Sequence, residues 1–241
     1  MNRIVLDREV EKDLIVGDDL IVIEDDKDLF LILEKDFTAK VIVSPNKDLK
    51  VTVLGKDITL KVDLQLEESA KVLVNSFLTN SNVDLEVNLI GVDASIEYNL
   101  GMISDSKKEI KNTINHECSN TNSSITNHLL AKGKKESKVI INGIVLKNSK
   151  NCQTNQDTKI ITLEDNESLI EPNLIIDNKD TIASHSAYIG RYKESDLFYL
   201  MSRGLKREDA IRLLSYSYLL GKMDIDDERI NEFKDIIDDF L

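Results

Sequence analysis

Short runs of alternating apolar and polar residues constrain this chain more than anything else in it. They restart roughly every ten to fifteen positions from Leu14 to about Ile189. LIVI at Leu20, LFLIL at Leu29, AKVIV at Ala39, LKVTVL at Leu49 and ITLKVDLQL at Ile58 open the series. AKVLV at Ala70, VDLEVNLIG at Val83 and ASIEYNL at Ala94 continue it. A period of two is the signature of strands that bury one face. The clusters of Asp, Asn, Lys, Ser and Gly between the runs supply turn chemistry.

Two architectures accept such a pattern. A β-solenoid stacks coils so that each buries its inward face on its neighbours; a β-sandwich also uses regular short strands. Near-repetition favours the solenoid: AKVIV at Ala39, AKVLV at Ala70 and SKVII at Ser137 are variants of one pentad. So does the scarcity of tight-hairpin dipeptides, since Asn142-Gly143 is the only Asn-Gly or Asp-Gly and lies inside a run. The asparagine-rich stretches NTINHECSNTNSSITNH and KNSKNCQTNQ are expected at solenoid turns, with side-chain ladders between coils.

The composition narrows function. The apolar residues are mostly Ile, Leu and Val, a strand-favouring mixture. A net charge of −13 repels nucleic-acid phosphates and anionic lipid, so the expected partners exclude nucleic acid and membrane. Cys118 and Cys152 form no CxxC motif and are too few for a disulfide scaffold. With no apolar leader and no long uncharged apolar run, the expected location is cytoplasmic.

After Gly190 the period changes, which divides the chain into a β body over 1–190 and a helical domain over 191–241. The first helix is expected over Asp196 to Ser202, N-capped by Ser195 and ended by a left-handed Gly204. The second spans Arg207 to Leu220 with Ala210, Ile211, Leu213, Leu214 and Tyr218 on its apolar side. The third, Asp226 to Phe240, carries a stripe of Ile230, Phe233, Ile236, Ile237 and Phe240. Such a tail must pack on the β body, on a second copy or on a partner.

The junction and tail carry a resemblance. Ile182-Ala183-Ser184-His185-Ser186-Ala187-Tyr188-Ile189-Gly190 is followed by Asp196-Leu197-Phe198-Tyr199-Leu200-Met201-Ser202-Arg203-Gly204-Leu205. Then comes Glu208-Asp209-Ala210-Ile211-Arg212-Leu213-Leu214. Together these resemble the C-terminal signature of the SufB/SufD family. His116, Asn120-Thr121-x-Ser123, Lys132-Gly133, Ser137 with Gly143, and Pro172-x-Leu174-x-Ile176 extend the match over roughly 90–220. The resemblance implies a mainly β fold, a right-handed parallel β-helix with a small C-terminal helical domain. It implies a non-enzymatic scaffold in iron–sulfur cluster assembly that docks a SufC-type ABC ATPase and pairs with a SufB-like chain or a second copy of itself. Two family cysteines are replaced, by Asn166 and Ala183, and the short spacing from His185 to Gly190 is SufD-like.

From the resemblance, His185 is a candidate ligand to iron or a transient iron–sulfur cluster. His116 and Cys118, at i and i+2, share one face of any strand that holds both, but two ligands are too few for a closed site. Cys152 reads as a turn residue. Leu197, Phe198, Tyr199 and Leu200 read as core by default. Under the resemblance the candidates for ATPase docking are Phe198, Tyr199, Arg203, Gly204, Ala210, Leu213 and Leu214. A structural or regulatory protein that keeps the fold without cluster chemistry is the alternative. A carbohydrate-active β-helix needs clustered acids that the sequence alone does not identify.

Overall fold

Alternation along a strand buries one face only if a second sheet lies opposite, and this chain builds both sheets from the same winding. The computed structural model describes residues 3–6, 11–13, 20–134, 136–165 and 167–241. The first part of the expected β pattern, residues 14–19, and Asn166 lie outside them.

The strands in chain order are β1 (Arg3–Leu6), β2 (Glu11–Asp13), β3 (Leu20–Ile23), β4 (Lys27–Leu33), β5 (Phe37–Val43), β6 (Asp48–Lys56), β7 (Thr59–Leu66) and β8 (Lys71–Thr79). They continue as β9 (Asn82–Leu89), β10 (Ser95–Ser104), β11 (Lys108–His116), β12 (Asn122–Ala131), β13 (Ser137–Val145), β14 (Cys152–Thr162), β15 (Leu169–Ile176) and β16 (Thr181–Gly190). Three helices follow: α1 (Glu194–Ser202), α2 (Arg207–Leu220) and α3 (Asp227–Phe240).

Odd strands from β3 to β15 form a seven-stranded sheet, and even strands from β4 to β16 form the other, with β1 and β2 added at its start. Among the described residues every pair within the series from β3 onward is parallel, and only the β1–β2 and β1–β4 pairs are antiparallel. The result is the expected β-solenoid, with two strands per coil. The pentads turn out not to be equivalent positions, because Ala39 lies in the middle of β5 while Ala70 precedes β8 on the opposite sheet.

The turns stack as regularly as the strands. Asn46, Ser69, Asp93, Asn120 and Asn151 adopt positive φ at successive coils. The amides of the first four donate to Glu68, Val92, Ser119 and Lys150 carbonyls one coil on, at 2.8–3.3 Å. Asn and Asp tolerate this left-handed conformation better than most residues, which explains their enrichment between runs. Not every asparagine sits at a turn. Within the asparagine-rich stretches Asn112 and Asn127 are buried within strands, a correction to the turn-ladder expectation, and Asn75 and Asn99 outside those stretches are buried likewise.

The tail packs on the β body. Phe30, Phe77, Ile103, Leu130 and Ile161 face outward from the even-stranded sheet and form a second core with Leu219, Leu220, Phe233 and Ile237. Phe77 and Phe233 stack with ring centroids 4.9 Å apart. His128 lies against Tyr218, rings 4.7 Å apart, and its Nδ1–H donates to the Tyr218 carbonyl at 2.7 Å. Gly101 permits the approach, since a Cβ there would lie 2.8 Å from the Leu219 carbonyl oxygen.

The helix details differ from expectation in three ways. α1 begins at Glu194 with Lys193 at its N-cap and no side-chain cap, while Ser195 turns to Asp196 instead. α2 buries Ala210, Ser215, Leu219 and Leu220 and leaves Leu213 exposed, because the side that meets the sheet is set by its last turn. Within α1 only Leu197 is buried; Phe198 and Tyr199 are exposed, against the core reading. The α3 stripe is as expected, with Phe233 and Ile237 fully buried.

Asp226 caps α3 by accepting the Arg229 amide at 2.8 Å. Asp226→Ala is expected to lower stability by about 1 kcal/mol, measurable as a shifted urea midpoint at unchanged slope.

A candidate site at the uncovered end of the solenoid

A solenoid buries each coil's inward row by laying the next coil over it, so the last coil needs a cap. Here the last coil is β15 and β16. Each pairs on one side only, β15 with β13 and β16 with β14. Register fixes which side chains are inward. Val139, Ile141, Gly143 and Val145 of β13 are buried, and they pair with Ile170, Pro172, Leu174 and Ile176. Thr154, Gln156, Thr158 and Ile160 of β14 are buried, and they pair with Ala183, His185, Ala187 and Ile189.

Those β16 residues are the inward row of a coil that no further coil covers, and His185, Ala187 and Ile189 are accordingly exposed. Tyr188 and Ile182 are exposed too, Ile182 at 71%. Pro172, which lacks an amide donor, is tolerated here because it sits on an edge strand.

Behind His185 the interior changes character. Toward the N-terminal coils it is aliphatic, whereas the last coils place polar side chains inside. Asn112 Nδ2 donates to Asn127 Oδ1 at 2.8 Å, and Asn127 Nδ2 donates to Thr158 Oγ1 at 3.3 Å. Gln156 Nε2 donates to the Asn173 carbonyl at 3.3 Å. Asn112 Oδ1 and Gln156 Oε1 are buried with no protein partner, so this polar interior retains acceptor capacity. Gly143 makes room beside Gln156, since a Cβ there would lie 3.0 Å from Gln156 Nε2.

His116 ends β11 and is fully buried. Its Nδ1 lies 2.8 Å from Thr121 Oγ1 and its Nε2 lies 2.9 Å from Ser123 Oγ. Both flanking hydroxyls donate elsewhere at 3.0 Å, Thr121 to the Cys118 carbonyl and Ser123 to Thr154 Oγ1. Burial pushes its pKa down to about 4. Cys118 does not share the face of His116, because the strand ends at His116 and Cys118 lies in the turn beyond it. Its Sγ donates to the Ile90 carbonyl at 2.9 Å. Lost hydration, then the Glu117 charge and Cys152, raise its pKa, so the thiolate is disfavoured. Cys152 is buried at the start of β14, not a turn residue, with Sγ 3.2 Å from Thr121 Oγ1.

The candidates therefore fall into separate places. His185 faces the open end; His116, Thr121, Ser123 and Cys152 form an interior cluster. Among the described residues no group of three or more His, Cys, Asp or Glu is placed to hold a metal ion. Phe198 (73% exposed), Tyr199, Met201 and Leu205 form an exposed apolar surface on and after α1. Arg203 stacks over the Tyr199 ring at 5.4 Å. Gly204 has φ +96°, and its amide donates to the Met201 carbonyl at 3.0 Å. Ala210 is buried, Leu214 half-buried and Leu213 exposed on α2. Sequence reasoning missed Asn112, Asn127, Thr154, Gln156 and Thr158, because β14 is polar on both faces and offers no alternation to read.

The architecture is thus a parallel two-sheet solenoid with a helical tail on one face and an uncovered last coil. Residues 56–218 match the family model described as SUF system FeS cluster assembly, SufBD core domain, and the chain belongs to that family. It is 28% identical over 159 residues to the iron–sulfur cluster assembly protein SufD of Bacillus subtilis, covering 54% of this chain and 36% of that protein. It is 34% identical over 105 residues to an iron–sulfur cluster assembly SufBD family protein of Pyrococcus horikoshii, covering 43% and 24% respectively. A SufBD family protein of Staphylococcus haemolyticus is 32% identical over 108 residues, covering 43% and 23%. The matched stretch is thus only 36% of even the SufD relative's length. Among the described residues no helix is long and apolar enough to cross a membrane.

Proposed function

We propose that this chain is a SufD-like, non-catalytic scaffold subunit for iron–sulfur cluster assembly. The observation that carries the reading is the uncovered last coil, whose inward row of Ala183, His185, Ala187 and Ile189 has nothing over it. A SufB-like chain, or a second copy, supplies the missing coil by lying edge to edge on β15 and β16. His185 then offers one imidazole nitrogen to iron or a nascent cluster, which is the cargo, and the partner provides the remaining ligands. The exposed apolar surface at Phe198 and Tyr199, with Arg203 and Gly204 shaping its end, docks a SufC-type ATPase. Nucleotide-driven closure of paired ATPases strains the solenoid interface and opens the buried ligand face.

Phe198→Asp with Tyr199→Ala tests the docking half without touching the second core, since both side chains are exposed. The expected result is roughly tenfold or greater loss of affinity for the ATPase with an unchanged melting curve; undiminished capture defeats that half. Anaerobic reconstitution with iron and sulfide, with the partner chain present, tests the other half. A visible-absorption signal that disappears in His185→Ala is expected. A signal indifferent to His185 favours the alternative of a structural or regulatory protein, a reading that the disfavoured Cys118 thiolate supports.

A further inference from the structure

The first four coils of the solenoid do not close on themselves. Leu29 and Leu31 in β4, Val41 in β5, Val51 in β6, Val62 in β7 and Val74 in β8 point inward by register, yet all are only partly buried. Inward neighbours two residues away are buried, among them Leu33, Val43, Leu49, Leu60 and Val72. An inward residue that remains accessible between buried ones faces a void. That void is a cavity of about 120 Å³, lined almost wholly by aliphatic side chains.

The void is elongated along the solenoid axis. Leu29 pairs with Val51, Val51 with Val74, and Val74 with Tyr98, so one row crosses four coils. At the strand spacing this is roughly 14 Å. Tyr98 forms its far wall, where the aliphatic interior gives way to the polar one. There the Tyr98 hydroxyl and Ser76 Oγ, on residues 2% and 0% exposed, face each other closely enough to interact, without an aligned hydrogen bond and with no other partner. Two buried hydroxyls with only each other to meet keep bonding capacity that a third polar group can occupy. Burial pushes the Tyr98 pKa well up, which keeps the phenol protonated and able to donate. Among the described residues no Lys or Arg lines the cavity, and Asp84 does.

We propose that this cavity is a binding site for a slender, uncharged apolar molecule carrying one hydrogen-bonding group, a short alkyl alcohol or its like, whose polar end meets Tyr98 and Ser76. Apolar cavities of comparable size stay dry and accept small hydrocarbons. A carboxylate is disfavoured, because its desolvation is offset by no cation among the described lining residues and Asp84 is one of them. The site is independent of the end face and of cluster chemistry.

The test uses the full chain with labelled Ile, Leu and Val methyl groups, titrated with 1-hexanol and with hexanoate and followed by NMR. Saturable shifts at the Val51, Val62 and Val74 methyls with hexanol, and none with hexanoate, are expected. Tyr98→Phe with Ser76→Ala should weaken hexanol binding roughly tenfold. Val62→Phe, or the milder Val51→Leu, should fill the void and abolish the shifts at unchanged circular dichroism. Non-saturating shifts in the wild type overturn the proposal. So do equal binding of hexanoate, undiminished binding in both filled variants, or unchanged affinity in the hydroxyl-free variant.

Discussion

Phe233→Ala is expected to cost about 3–5 kcal/mol and to loosen the helical tail as a unit. Phe233 is fully buried, stacks on Phe77 at 4.9 Å, and belongs to a second core that is small. The cavity left behind cannot collapse easily, because its floor is a hydrogen-bonded sheet that does not move toward α3. The solenoid core lies on the other face of that sheet and does not depend on the tail. Hydrogen exchange should therefore accelerate at α2 and α3 while amides of β6 to β12 remain protected. Uniform loss of protection would show instead that tail and solenoid unfold as one cooperative unit. The outcome bears on function, because an ATPase pulling on α1 acts on the solenoid only as firmly as this second core holds.

The strands were legible because one face of each is buried against aliphatic side chains, and period-two contrast is what sequence displays best. The sheet to which each strand belongs was not. Stacked partners are 23 residues apart at Val51 and Val74 but 29 apart at Gln156 and His185, so no fixed period marks equivalent positions. That is why the pentads at Ala39 and Ala70 misled: they share composition but sit on opposite sheets. The interior of the candidate site was illegible for a related reason. Cys152–Thr162 reads CQTNQDTKIIT, polar on both faces until its end, and alternation conveys nothing when inward and outward rows are both polar. His185 was visible only through resemblance, and its position over Gln156 emerges from register. The tail's stripe at Phe233 and Ile237 was legible, whereas exposure of Phe198 and Tyr199 was not, since apolar helical residues pack inward unless the fold supplies nothing to pack on.

The interior cluster makes stability depend on acid. His116 is held neutral, with a folded pKa of about 4 against an ordinary 6.5. The unfolded chain therefore takes up a proton between these values that the folded chain refuses. The sign follows: this contribution is fully present above about pH 6.5 and is lost progressively as pH falls toward 4. Its size at about pH 4.5 is about 2–3 kcal/mol relative to neutral pH. His128, whose pKa burial also lowers, acts in the same direction beneath the tail. His116→Gln keeps a polar side chain for Thr121 and Ser123 but removes the titration. Urea unfolding near pH 7 and near pH 4.5 should show the wild type losing about 2–3 kcal/mol more than the variant. Parallel losses in the two proteins would mean that His116 can be protonated in the folded state, its imidazolium donating to both hydroxyls. The polar interior would then be a proton acceptor at mildly acidic pH, and the neutral core behind His185 would be a property of neutral pH alone.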